Sequence, residues 1–274
     1  MGSGTEIKRL AKVTESAARA YFVAFTHAAG GFVSKTDDYT LTIFPYNNYP
    51  VNGVLSPHFT NENAGERLED LLRVVREHKK DIRIKLGPTT KPDNLAQVLE
   101  MRGLKSSYNL KYMAATITQM NLDHPNAGNM DIQVIHDYEI FYQYPHPFYG
   151  LMKSPKKKLI VETFQKLYER EPKRFWTFRI NISGKLVGTA SLFLYRGNAC
   201  IPEFGIIKDL QRQGLGSTLL QHACEFAQEQ GARAIGLGAS TMGVRFYPHF
   251  GFQHVGRYPT YLYSREMGKF DEIR

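Results

Sequence analysis

Between Glu66 and Lys80 the apolar residues Leu68, Leu71, Leu72 and Val75 recur at three- and four-residue intervals, the spacing of one helix face. The stretch IRIKL that follows, Ile82 to Leu86, reads as a strand. The same order returns much later in the chain. Leu219, Leu220, Ala223, Phe226 and Ala227 share one face of a helix that stops at Gly231, and Ala234 to Ser240 then reads as a strand. Each strand leads into Leu-Gly, a hydroxyl residue capping a short helix, and then glycine plus an apolar residue: KLGPTTKPDNLAQVLEMRGL, Lys85 to Leu104, and GLGASTMGVRFYPHFGF, Gly236 to Phe252. The two spacings differ by three residues, so the pattern predicts a diverged duplication.

MAATITQMN closes the first unit and DIQVIHDYEIFYQY opens the second, with loop-like NLDHPNAGN between them, which predicts domains over 1–125 and 126–274. In the second unit FWTFRI and KLVGTASLFLY are strands joined by the turn NISGK, and ACIPEFGII is a strand running into a glycine-bearing loop. Helix, antiparallel strands, glycine loop, helix, strand, helix, strand is an α+β order.

Composition narrows the function classes. A chain of 274 residues, 42% of them apolar, can bury two cores. No stretch approaches the roughly 18 consecutive apolar residues of a membrane span, and no charged-then-apolar leader opens the chain, so a cytoplasmic location is expected. Met1 to Gly4 reads as an added tag and is set aside. Cys200 and Cys224 lack CxxC spacing, so neither disulfides nor a metal site is expected and both read as small hydrophobes. A net charge of +9 favours an anionic ligand: a phosphorylated cofactor, an acidic substrate or RNA. KSPKKK, Lys153 to Lys158, reads as a solvated face, and the aromatic IFPYNNYP and FYQYPHPFY as core segments or the lining of a cleft.

The chemistry concentrates at QRQGLGSTLL, Gln211 to Leu220. A glycine inside a helix costs roughly 1 kcal/mol against alanine, so two at a helix start suit a tight turn or a close approach to backbone. Free N–H groups at a helix N-terminus form an anion site, and Gly214 and Gly216 leave room for a phosphate to reach them. The string matches neither GxxxxGK[ST] nor GxGxxG. It is Q-x-x-G-x-G after a strand in an antiparallel setting.

On these residues the sequence resembles the GCN5-related N-acetyltransferases (GNAT), whose [RQ]-x-x-G-x-[GA] loop after the fourth strand cradles the pyrophosphate of acetyl-CoA. FYPHFGF, Phe246 to Phe252, is similar to the family's Y-x-x-x-G-F signature, whereas Ser240 stands where an Asn is common. The resemblance is clear from Trp176 to Tyr263, weaker in the first half, and closest to a branch with two such domains in tandem. It implies an α+β fold of two tandem GNAT-like domains, each a mixed, mostly antiparallel sheet flanked by helices. The N-terminal domain looks degenerate: SPHFTNENAGERL has no GxG, and Leu99 stands four before Gly103 where a tyrosine is expected. That half is expected to bind no cofactor and to wall one side of the substrate cleft.

Acetyl transfer to an amine needs a neutral amine, a polarised thioester carbonyl and a proton for the departing thiolate. The resemblance implies a cofactor path along Phe204, Ile206, Gln211, Arg212, Gln213, Gly214, Leu215, Gly216, Ser217, Thr218, Ser240 and Tyr247, with the Ile206 N–H on the thioester oxygen. Tyr247 is the candidate acid and Glu203 the candidate base, against the alternatives of a core tyrosine and a solvent-facing strand glutamate. Arg212 and Lys208 add charge near the phosphates, and Ser217 and Thr218 either donate hydroxyls there or simply start a helix. His222, His249 and His254 have no partner spacing and read as ordinary histidines. The expected activity is acetyl-CoA-dependent N-acetylation of a small molecule or peptide, with nucleic acid and membrane outside the expected partners. A tRNA-dependent aminoacyl ligase built from two such domains, and a non-catalytic acyl-CoA or RNA-binding module, remain open at this point.

Overall fold

The computed structural model describes residues 4–45, 52–123, 130–143 and 156–264. Its first element, α1 (Gly4–Ala28), buries Leu10, Ala11, Thr14, Ala17, Tyr21, Phe25 and Ala28, an amphipathic helix face. Next come β1 (Phe32–Lys35), β2 (Thr40–Ile43), β3 (Gly53–Leu55), α2 (Ala64–Glu77), β4 (Ile82–Lys85), α3 (Leu95–Met101) and β5 (Lys105–Thr116). The later part runs β6 (Asp131–Val134), α4 (Ile140–Gln143), α5 (Lys156–Arg170), β7 (Phe175–Ile182), β8 (Lys185–Tyr195) and β9 (Asn198–Ile206). It ends with α6 (Leu215–Glu229), β10 (Ala234–Ala239), α7 (Gly243–Phe246) and β11 (Gln253–Tyr263). The two helix-then-strand pairs legible in the hydrophobic pattern are α2 with β4 and α6 with β10.

The chain forms two compact units, one of residues 1–29 and 112–255, the other of 30–111 and 256–274. The chain changes unit between residues 29 and 30, 111 and 112, and 255 and 256 rather than once at 125, so each terminus joins the unit built mainly by the other half. The loop expected to hold that cut lies partly outside the described residues. Packing explains the exchange of ends. The apolar face of α1 covers β8, β9 and β10 and also meets α5. A Cβ on Gly236 of β10 would stand 2.2 Å from Thr14 Cγ2, so glycine is what admits the helix so closely. At the other end, β11 pairs antiparallel with β4 from Thr260↔Lys85 to Tyr263↔Ile82, and Tyr261 and Tyr263 join the apolar core of Leu68, Leu71 and Val75.

The unit of 30–111 and 256–274 has strand order β1-β2-β3-β4-β11, antiparallel except for the parallel β3–β4 pair. The other unit has order β5-β10-β9-β8-β7-β6, with β6 to β9 antiparallel and β9–β10 parallel. Side chains alternate across this second sheet. Leu219, Leu220, Ala223 and Ala227 of α6 cover one face with Phe178, Ile180, Ala190 and Leu192. Rings from α1 and α5 cover the other, with Tyr21 edge-on to Phe193 at 5.8 Å and Phe164 stacked on Phe175 at 6.0 Å. Each fully buried Leu or Phe contributes roughly 1.5–3 kcal/mol, so these two layers fix β9 rigidly between them.

Candidate active site

The site begins with an interruption in β9. Ser191↔Glu203 and Phe193↔Cys200 are partners, so Ile201 and Pro202 together oppose Leu192 alone, a β-bulge. Proline brings no N–H to a ladder, which is why the break falls there. The parallel pairing with β10 stops at the same point, after Leu237↔Ile201, although β9 continues to Ile206 and β10 to Ala239.

Backbone directions follow from one hydrogen bond. The Ile207 N–H donates to the Val187 carbonyl at 2.9 Å, and alternate residues face opposite edges, so the N–H groups of Phe204 and Ile206 point away from β8 to the side where β10 has ceased to pair. The Ile206 carbonyl points the same way and accepts from Gln211 Nε2 at 3.0 Å. Gly188, across from Ile206, is required: a Cβ there would meet Ile206 Cδ1 at 2.3 Å and the Gly205 oxygen at 2.9 Å.

A short 3₁₀ turn, Lys208–Leu210, leads from β9 to the loop. Arg212 and Gly214 both take left-handed backbone, with φ of 63° and 82°. Gly214 is the N-cap of α6 and no side chain caps the helix. Since the Thr218 N–H returns to the Gly214 carbonyl, the donors that α6 leaves over are those of Leu215, Gly216 and Ser217, at the positive end of the helix dipole. A Cβ on Gly216 would sit 3.7 Å from Ile206 Cγ1 and from Phe246 Cζ, which is ordinary contact. The fold alone does not demand glycine at 216; open backbone there suits an approaching group.

The remaining predicted cofactor residues divide by environment. Arg212, Gln213 and Ser240 are exposed, Ser217 is half-buried, and Leu215 buries its side chain and offers only backbone. The Ser240 hydroxyl accepts from the Gly243 N–H at 3.2 Å, starting α7. Thr218 is buried and its hydroxyl donates to the Gly214 carbonyl at 3.3 Å, so of the two readings of that side chain the helix-start one fits.

Tyr247 opens a 3₁₀ turn after α7 and packs against Phe246, Phe252 and Phe204, with ring centroids 5.2, 5.5 and 6.1 Å away. Gly243 makes the space, because a Cβ there would lie 2.6 Å from Tyr247 Cε2. Burial pushes this phenol above its ordinary value, so it holds its proton more firmly. Glu203 is buried at 5% exposure, which removes the solvent-facing alternative. Phe204 packs on the α6 side with Tyr247 and Phe246, so its neighbour Glu203 takes the opposite face of β9 with Ser191. The candidate acid and base thus flank β9 from its two sides.

Elsewhere the ordinary readings hold. Half-buried His222 meets Phe178 edge-on at 5.2 Å and burial lowers its pKa, while His249 and His254 are exposed. Cys200 and Cys224 are buried thiols that desolvation pushes up. Phe44 and Phe141 are core residues, and most of the two aromatic segments, like Lys153 to Pro155, lies outside the described residues. Among the described residues no cluster fits a metal ion and no helix is long and apolar enough to cross a membrane. At the start of α2 the loop closes on its own side chains, Thr60 N–H to Asn63 Oδ1 at 3.0 Å and Asn63 N–H to Thr60 Oγ1 at 3.3 Å, where α6 uses glycine. Leu99 is fully buried in the apolar core beside it. Sequence reasoning missed Pro202 and Gly188, although a proline inside a strand run is itself a bulge signal.

Residues 136–252 match the family model described as the acetyltransferase (GNAT) family. Solved structures with the same fold include a GCN5-related N-acetyltransferase from Kribbella flavida, 15% identical, with a TM-score of 0.62 over 89% of this chain and 95% of that one. A GCN5-related N-acetyltransferase from Sphaerobacter thermophilus is 14% identical, with a TM-score of 0.60 over 85% of this chain and 82% of the other. A tandem GNAT protein from the clavulanic acid biosynthesis pathway is 12% identical, with a TM-score of 0.61 over 83% and 78%. No curated protein matches the sequence.

Proposed function

Because the chain carries an acetyltransferase (GNAT) family domain over residues 136–252, we propose that it moves the acetyl group of acetyl-CoA to an amine of a small molecule or peptide, by direct attack in a ternary complex. The observation that carries this reading is the opened edge of β9. Its pairing with β10 ends at Ile201, the Ile206 N–H points into the gap, and the uncapped start of α6 lies at the end of the same loop.

The residues fit an acyl-CoA. The N–H groups of Leu215, Gly216 and Ser217 hold the pyrophosphate, with Arg212 and Lys208 adding positive charge at the rim. The Ile206 N–H polarises the thioester carbonyl, a fixed donor that needs no reorganisation as charge develops. Acetyl-CoA supplies an activated acyl group. Glu203 takes the proton of the acceptor ammonium on one side of β9, freeing the lone pair that attacks. Tyr247 returns a proton to the departing sulfur on the other side, and its raised pKa keeps the phenol protonated throughout neutral pH. Residues 1–125 bind no cofactor in this reading, since the loop before α2 has no GxG and Leu99 stands where a tyrosine is expected.

Mixing the protein with acetyl-CoA and a panel of amines, with free thiol followed over time, tests the proposal. Thiol release that depends on the amine and matches the acetylated product one to one is the expected result. Binding of acetyl-CoA without amine-dependent release would replace it with a non-catalytic acyl-CoA module.

A further inference from the structure

The gap beside β9 is closed on its α6 side by two rings. Phe204 stacks on Phe246, the last residue of α7, with centroids 5.9 Å apart and planes 22° from parallel. Their tips converge on the start of α6, because a Cβ on Gly216 would lie 3.7 Å from Phe246 Cζ, 3.8 Å from Phe204 Cζ and 3.7 Å from Ile206 Cγ1. α7 continues from the end of β10, and Ile206 ends β9, so the Phe246 ring reaches across from one strand's end to the other's. Phe204 and Phe246 are only half-buried, whereas Tyr247 beside them is buried. We propose that this ring pair is an acyl-length stop, which admits a short group such as acetyl or propionyl and excludes longer chains. The proposal rests on the reading of the gap as an acyl-CoA site, with the thioester oxygen on the Ile206 N–H.

An acyl tail held at that N–H has three directions in which to grow. Toward α6 it meets the two rings. They are backed by Phe250, 5.2 Å from Phe246, and by Tyr247, edge-on to Phe204 at 6.1 Å, and they pack on the apolar core of α6, so they have little room to retreat.

Along β9 toward Ile201 the gap narrows to nothing, since the two strands pair again at Ile201↔Leu237. Paired strands stand about 4.8 Å apart. A methylene chain needs about 4 Å to the atoms on each side of it, which that spacing does not leave.

The third direction is the opposite face of the sheet. Glu203 and Gly205 take that face by strand alternation, and Gly205 has no side chain to cover the gap. A methylene tail offers the buried Glu203 carboxylate no hydrogen bond, whereas an amine does. That opening therefore suits the acceptor and not the tail.

The sign of the chain-length effect makes the stop testable. Where nothing blocks an acyl tail, each methylene buried on binding tightens the complex roughly fourfold, so a longer chain binds better. Calorimetric titration of the full chain with CoA, acetyl-CoA and hexanoyl-CoA, without any amine, should show the reverse: hexanoyl-CoA at least about tenfold weaker than acetyl-CoA. Phe246→Ala removes the ring that crosses the gap, and hexanoyl-CoA should then bind more tightly than acetyl-CoA. Wild-type affinity for hexanoyl-CoA equal to or above that for acetyl-CoA overturns the proposal. So does an unmoved affinity ratio in folded Phe246→Ala, even with a lowered Tm, because a ring that only supports the fold would leave the ratio alone. Should Phe246→Ala fail to fold, Phe246→Leu, which keeps an apolar side chain against Phe250, decides by the same ratio. Failure of CoA itself to bind would sink the acyl-CoA reading and the stop together, whereas CoA binding with no discrimination between chain lengths would sink the stop alone.

Discussion

At Gly216 the demands of the fold and of the proposed cofactor separate. An added methyl there makes only ordinary contacts, with 3.7 Å as the nearest approach, and alanine loses less backbone freedom on folding than glycine does. Gly216→Ala should therefore leave stability unchanged or raise it by up to about 1 kcal/mol in urea unfolding. The same methyl intrudes on the backbone proposed to receive the phosphates, so calorimetry should show acetyl-CoA affinity falling by about tenfold or more. Equal affinity in a folded Gly216→Ala protein would mean that nothing approaches that backbone. Tyr247 offers the complementary separation. Tyr247→Phe keeps the ring among Phe204, Phe246 and Phe252 and removes only the hydroxyl, so kcat should fall by about 10² with acetyl-CoA affinity unaltered. A drop in stability with kcat intact would return Tyr247 to the core.

At the scale of elements, β9 is held by its neighbours in a way that single residues can disturb. Gly188→Ala places a methyl 2.3 Å from Ile206 Cδ1 and 2.9 Å from the Gly205 oxygen, and should cost about 1–3 kcal/mol in denaturant unfolding. Adding Ile206→Val removes the Cδ1 atom and should recover part of that loss; no recovery would place the strain in the backbone contact instead. In the other unit, burial and the neighbouring Arg83 push the Lys85 ammonium on β4 down to about 7. The folded state then binds the Lys85 proton less readily than the unfolded chain, so stability should rise as pH climbs from about 7 towards the ordinary lysine value near 10.4. Lys85→Met should flatten that rise in unfolding curves at pH 7 and pH 10. The helix faces of α2 and α6 and the loop Gln211–Gly216 were legible in the sequence because periodicity and glycine spacing are local signals. The register that sets Glu203 opposite Ser191 was not, since the bulge at Pro202 decides it. Burial of Glu203 was equally hidden, because a glutamate in a strand run is exposed as a rule.

Across the whole molecule, a duplication was legible in the repeated helix-then-strand order, and its two compact units are the structural counterpart. The exchange of termini was not legible. The apolar stripe of α1 from Leu10 to Ala28 states that one face must be covered but not by which half; its packing on β8, β9, β10 and α5, with Gly236 making room for Thr14, depends on contacts far apart in sequence. The central claim is that one acyl-CoA site exists per chain and that it is the loop capped by Gly214, where φ of 82° excludes a β-branched side chain. Calorimetric titration of acetyl-CoA into the wild-type chain and Gly214→Val, with the fold of both monitored by circular dichroism, addresses it directly. One equivalent bound per wild-type chain and none by the folded variant is the predicted result; two equivalents per chain, or undiminished binding by folded Gly214→Val, would contradict it.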